Sequence, residues 1–179
     1  DLVDAVHTHV HVGPPEDGAA VMSALIDDRA VEKTQAFVAD ALSQGAKRLT
    51  GGHREGEGAG RLFDPMVMVN VPQEARLACD EVFGPVVALW PYESLDEAFE
   101  RVNASPYGLQ AGIYTHDLRE ANQAFERLEV GAVLVGEIPT WRVDQMPYGG
   151  VKASGLGREG LKDTLAEYTE PRLCVLPRA

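Results

Sequence analysis

Residues 79 to 86 read CDEVFGPV and set one of the chain's two cysteines directly beside a pair of acids. A nucleophilic thiol needs a cation, a helix N-terminus or a nearby base to hold it as the thiolate, whereas Asp80 and Glu81 would oppose a negative sulfur. The local sequence therefore argues against Cys79 as a nucleophile. Cys174, in the apolar run RLCVLP, has the surroundings of a small buried hydrophobe.

Three further groupings could carry chemistry. In SGLGREG, Gly155, Gly157 and Gly160 satisfy the G-x-G-x-x-G pattern of dinucleotide-binding loops. That fingerprint follows an apolar strand and is answered by an acid about twenty residues later, but here VKAS precedes it and no such acid follows, so the match reads as accidental. In HTHVH, a strand would project His7, His9 and His11 from one face, where two imidazoles can chelate zinc. No carboxylate-and-histidine cluster elsewhere completes such a site; three solvated histidines ahead of the turn GPPEDG is the simpler reading, and no metal is expected. The stretch PTWRVDQMPYGG (139–150) is a long connection after a strand, with Trp141, Arg142 and Tyr148 on it. Connections longer than about twelve residues in a compact domain are usually functional or disordered, and two large aromatics favour the first.

Composition bounds what these groups can belong to. With 179 residues, 45% hydrophobic and 25% charged, the chain can bury one sizeable core, so a single globular domain is expected. Its 28 acids against 16 Lys and Arg give a formal net charge of −12, which disfavours nucleic acid and anionic membrane surfaces. Two cysteines far apart make no disulfide framework, and no apolar run is long enough to span a bilayer. A reducing, cytoplasmic setting fits. The chain begins with Asp1, and its opening lacks the basic and apolar regions of a signal peptide, so an upstream portion is expected.

The elements follow from periodicity. Val31, Thr34, Phe37, Val38, Ala41 and Leu42 fall at three- and four-residue steps, a helical stripe that Gly45 ends. Short strands are expected at Arg48–Thr50 and Met66–Val71, with GGHREGEGAG between them as an exposed loop. Val86–Trp90 is apolar on both faces, as a covered strand should be. SLDEAFERVN reads as a helix with Ser94 as N-cap and Glu97 at the capping-box position. Gly108–Thr115 and Gly131–Gly136 read as strands around the helix DLREANQAFERLE. Such alternation implies an α/β fold.

Five of these stretches occur together in one family. GAKRLTGG, DEVFGPVVAL, ASPYGLQAGIYTHDL, IPTWRVDQMPYGGVKASGLGREG and EYTEPRLCVL keep their order and spacing from about Val12 to Leu176. The chain thereby resembles the C-terminal portion of the NAD(P)-dependent aldehyde dehydrogenase superfamily, with the 139–160 stretch most similar to semialdehyde and lactaldehyde dehydrogenase-like members. The resemblance implies a mostly parallel sheet covered by helices, forming the C-terminal part of the catalytic domain, with an oligomerisation strand at 167–177. The Rossmann coenzyme domain is expected to be absent from this chain.

Enzymes of that family oxidise an aldehyde through a thiohemiacetal on a cysteine, pass hydride to NAD or NADP, and hydrolyse the thioester with a glutamate-activated water. By the resemblance, nucleophile and general base lie upstream of Asp1. No catalytic residue is then expected here, and the chain alone should be inactive and bind no coenzyme. Glu81 matches the glutamate that bonds the nicotinamide ribose, and Phe83 the aromatic beside the nicotinamide ring. Trp141 falls near the aromatic lining the substrate tunnel, Tyr148 belongs to the PFGG or PYGG motif, and Arg142 suits a carboxylate on the substrate. Two departures are Gly136, where the family usually has asparagine, and Ser23-Ala24, where it has Gly-Pro. The implied partners are a small aldehyde and further copies in a homo-oligomer. The alternative is a free-standing remnant serving as a binding or oligomerisation module.

Overall fold

The computed structural model describes residues 1–56 and 60–177. Where length suggests one core, the chain forms two compact units, Asp1–Pro91 and Tyr92–Ala179.

The first unit opens with helix α1 (Leu2–His9), whose N-cap Asp1 accepts from the Val3 and Asp4 amides in a capping box. HTHVH is thus helical through His9, whereas the zinc alternative needed a strand there. Residues two apart on a helix are turned about 200° from one another, so His7 and His9 share no face. Helix α2 (Asp28–Ser43) starts at Asp27, whose carboxylate accepts from Ala30 N. It buries Val31, Thr34, Phe37, Val38 and Ala41 as its spacing requires, while Leu42, at the edge of the stripe, stays exposed. Gly45 adopts φ +102°, and the bonds Gly45 N to Leu42 O and Ala46 N to Ala41 O close a Schellman turn.

Strand β1 (Lys47–His53) pairs antiparallel with β2 (Phe63–Val69), and β2 pairs parallel with β3 (Val86–Leu89). The expected loop at 51–60 therefore begins later, since Gly51 to His53 belong to β1, and residues 57–59 lie outside the described residues. Gly51 sits beside a register shift at φ +82°, and a Cβ there would fall 2.0 Å from Pro65 O. Its glycine is needed for close approach of two strands, not for a solvated loop. Val38, Ala41, Ala46, Phe63, Met66, Met68, Val71 and Ala75 form the core against this sheet. Between β2 and β3 lies a single helical turn, α3 (Arg76–Cys79).

In the second unit, α4 (Leu95–Asn103) is capped by Ser94, which accepts from Glu97 N, while the Glu97 carboxylate takes Glu93 N. Strand β4 (Tyr107–Gly108) is followed by β5 (Gln110–Ile113), α5 (Leu118–Arg127), β6 (Ala132–Val135), β7 (Val151–Lys152) and α6 (Leu161–Tyr168). β5 and β6 pair in parallel across the α5 crossover, and β4 pairs antiparallel with β7. Phe99, Ala121, Ala124 and Leu134 are buried here.

The alternation is α/β as expected, though the described residues form three small sheets of mixed direction. The parallel pairs β2–β3 and β5–β6 are joined through α3 and α5, whereas β1–β2 and β4–β7 run antiparallel. Residues 169–177 form no strand within the chain, and α6 occupies the start of the segment expected to be one.

Replacing Gly51 by Ala is expected to cost about 2 kcal/mol or more, through the Pro65 carbonyl clash and the left-handed backbone together. Gly45→Ala, with nothing within 4 Å of the new methyl, is expected to cost about 1 kcal/mol. Thermal midpoints of the two variants measure the difference; equal midpoints would contradict the close-approach account.

Candidate functional site

Glu81 and Phe83 lie on the elbow between α3 and β3. Two backbone bonds fix where this elbow ends: Met66 N donates to Pro85 O at 2.8 Å and Val86 N to Gly84 O at 2.8 Å. Within it, Phe83 adopts φ +52°, a left-handed conformation that bulky side chains rarely take, and yet its ring is 72% exposed. The elbow is held from outside by α2. Lys33 Nζ donates to Glu81 O at 3.2 Å and stands 5.1 Å from the centre of the Phe83 ring, within cation–π range. On the next residue of α2, buried Thr34 presses on the elbow so closely that a Cβ on Gly84 would lie 2.5 Å from Thr34 Oγ1. Lys33 and Thr34 therefore determine where Glu81 and Phe83 can be. Sequence reasoning gave Thr34 only a place in the apolar stripe and no part to Lys33, because both act across about 48 residues of chain separation.

Cys79 ends α3 with its thiol exposed, and Sγ donates to Gln73 O at 3.1 Å. The neighbouring Asp80 carboxylate lies 4.0 Å from the Arg76 guanidinium. Cys174, expected to be buried, is exposed, as is the whole of the RLCVLP segment around it.

Trp141, Arg142 and Tyr148 sit together on the loop between β6 and β7 in the second unit. Trp141 O accepts from Gln110 Nε2 at 3.4 Å, and its own N–H donates to Ile138 O. The Arg142 guanidinium stacks 4.3 Å over the Tyr148 ring, and its NH2 lies 3.1 Å from Glu159 Oε2. Tyr148 and Glu159 exchange both backbone bonds, at 2.9 and 2.6 Å. Loop and sheet meet backbone to backbone: a Cβ on Gly131 would fall 1.7 Å from Gly149 O. Glu159 was passed over in the sequence, where it reads only as a charge among the glycines of SGLGREG. Those glycines are turn residues, with Gly155, Gly157 and Gly160 all at positive φ after a two-residue strand. Gly136 likewise takes φ +74°, a region that asparagine also tolerates.

The histidines are separated by use. His7 Nε2 meets Thr50 Oγ1 at 2.5 Å, and His11 Nε2 meets Asp17 Oδ2 at 2.7 Å. The His11 bond, with the Ala19 amide, holds the Asp17 carboxyl below the usual carboxylate range. Among the described residues no group of three His, Cys, Asp or Glu is arranged to hold a metal ion.

The Aldehyde dehydrogenase family model matches residues 1–174. A 3-sulfolactaldehyde dehydrogenase of Priestia aryabhattai is 41% identical over 165 residues, covering 92% of this chain and 34% of the relative. The crystal structure of aldehyde dehydrogenase 21 from Physcomitrella patens, in complex with the reaction product succinate, superposes with a TM-score of 0.85 at 40% identity, over 91% of this chain and 33% of that one. Betaine aldehyde dehydrogenase of Staphylococcus aureus, in complex with NAD+, gives a TM-score of 0.86 at 32% identity, over 93% and 33%. The chain thus spans about a third of the length of the relatives it matches.

Lys33→Met removes the donor to Glu81 O while keeping the length of the side chain. Hydrogen exchange over residues 80–84 is expected to quicken by roughly tenfold, with global stability lowered by about 1 kcal/mol. Unchanged exchange would mean that Lys33 does not hold the elbow.

Proposed function

The chain belongs to the aldehyde dehydrogenase family, and from that premise we propose that it is a C-terminal catalytic-domain segment of an NAD(P)-dependent enzyme that oxidises an aldehyde to the carboxylic acid. The observation that carries this is Phe83: a left-handed, largely exposed aromatic held in place by α2. Such strain costs on the order of 1–3 kcal/mol and persists where the surrounding structure over-determines it, which is characteristic of ligand-binding positions.

The residues fit a nicotinamide coenzyme in kind. The exposed Glu81 carboxylate can accept from both ribose hydroxyls, and the Phe83 ring offers an apolar face that limits where the nicotinamide rests. A nicotinamide held by Glu81 and Phe83 would supply the hydride acceptor that aldehyde oxidation needs. Trp141 and Tyr148 flank the substrate's approach, and Arg142 meets an acid group on it. No nucleophile or general base is assigned within these residues, since Cys79 donates to a backbone carbonyl and stands beside Asp80, and Cys174 is exposed in a stretch without elements.

Two exposed free thiols suit a reducing, cytoplasmic setting. Leu173, Val175 and Leu176 are 87%, 75% and 85% exposed. That apolar run favours association, with residues 167–177 pairing as a strand in a homo-oligomer.

In the full-length protein, Glu81→Gln and Phe83→Ala are each expected to lower kcat/KM for the coenzyme by about 10- to 100-fold with folding intact. Wild-type kinetics in both variants would overturn the coenzyme assignment. Purified by itself, the 179-residue chain is expected to show no NAD- or NADP-dependent aldehyde oxidation and only weak coenzyme binding by calorimetry. Turnover in a preparation free of longer enzyme would contradict this.

A further inference from the structure

We propose that Glu159 sets the enzyme's preference among aldehydes by charge, holding Arg142 until an acid group on the substrate takes its place. The inference rests on the reading of Arg142 as the residue that meets such a group. It adds a competitor to that residue, and with it a substrate class: aldehydes carrying a carboxylate or sulfonate.

The geometry leaves Arg142 one way to bind an anion. A guanidinium has two flat faces and an edge of N–H donors, and anions bind at the edge. Tyr148 covers a face at 4.3 Å and leaves the edge free. Glu159 takes the edge, with Oε2 3.1 Å from NH2. A carboxylate that binds this edge in the planar, two-donor manner competes with Glu159 for NH2.

The backbone keeps Glu159 in reach. Its N–H and C=O both bond to Tyr148, so the residue beneath Arg142 and the residue at its edge are fastened together. The preceding Arg158 ties the strand of turns down by donating from NH1 to Gly150 O at 2.9 Å and to Gly157 O at 2.7 Å.

The pair is also weak enough to exchange. The Arg142 and Glu159 side chains are 41% and 68% exposed, and ion pairs this open to water contribute little net stability. Arg142 and Glu159 together carry no net charge. A neutral aldehyde therefore meets a neutral pair, whereas an acidic one must part Arg142 from Glu159 and then sit near a displaced like charge. Removing the Glu159 charge should favour the acidic aldehyde selectively.

The test uses the full-length protein with succinic semialdehyde as the acidic probe and propionaldehyde as the neutral one. In Glu159→Gln, the ratio of kcat/KM for the acidic over the neutral probe is expected to rise roughly three- to tenfold, through KM. In Arg142→Met the ratio falls, and the double variant behaves as Arg142→Met does. Titration with succinate supplies a readout without turnover, tightening in Glu159→Gln and weakening in Arg142→Met. A lowered ratio in Arg142→Met with no change in Glu159→Gln overturns the role of Glu159 and leaves that of Arg142 standing. An unchanged ratio in Arg142→Met overturns the role of Arg142 itself. Equal loss of kcat on both probes in Glu159→Gln, with the ratio unmoved, makes the residue structural and overturns the proposal.

Discussion

The burial of strand β2 is the constraint on which the first unit depends. Met66, Val67 and Met68 are at most 2% exposed, β1 and β3 pair along its two edges, and Val38 and Ala41 of α2 share its core. Side chains of that size contribute about 1.5–3 kcal/mol each when fully buried. A left-handed aromatic at Phe83 costs roughly 1–3 kcal/mol, so the core can sustain the strain with a margin. The link between the two is direct. Met66 N takes Pro85 O, which sets the end of the elbow on β2, and α2 reaches the same elbow through Lys33 and Thr34. Phe83 is thereby fixed from both ends by elements that the core already holds.

The loop carrying Trp141, Arg142 and Tyr148 is positioned by different means. It has few buried apolar side chains to anchor it. Close approaches between backbones replace them, at Gly131 against Gly149 O and at Gly149 against Gly157 O. At these places a methyl group has no room, so each glycine is required by its neighbour and not by its own dihedrals. Lys152 adds a polar clamp, with Nζ donating to Asn103 O at 2.7 Å and pairing with Glu129 at 2.8 Å. Asn103 in turn bonds Arg127 O and Glu129 N, so the ends of α4, α5 and β7 meet at one lysine.

What could be read from the sequence divides along the same line. Helices α2, α4 and α5 were legible, because apolar stripes and caps are local: Gly45 and Ser94 stand where the chain's own spacing requires. Strand β2 was legible as an apolar run, and the helix-linked parallel pair β5 and β6 as an alternation. The strand weighed as the alternative for the histidine stretch does not form, because the capping box at Asp1 starts a helix there. Gly51 and Gly52 were assigned to a loop, since a glycine required by an opposing carbonyl looks the same in sequence as one required by a turn. Lys33 and Glu159 could not be found at all from local pattern. Their partners are fixed by tertiary packing, and a lone Lys on a helix or a Glu among glycines is ordinarily just a solvated charge.

The distribution of chemistry over the segment follows from how these side chains are spent. Cys79 gives its hydrogen to a backbone carbonyl, Lys33 gives one of its donors to another, and Arg158 gives NH1 to two more. Groups committed in this way to the main chain orient other residues and are poorly placed to react. Glu81, Phe83 and the Arg142–Glu159 pair instead face solvent, and groups of these kinds recognise ligands without bonding to them covalently. Under the proposed function, a segment built so would contribute position and selectivity to the reaction. Position of that kind depends on the buried strand and the crowded glycines that hold these residues still.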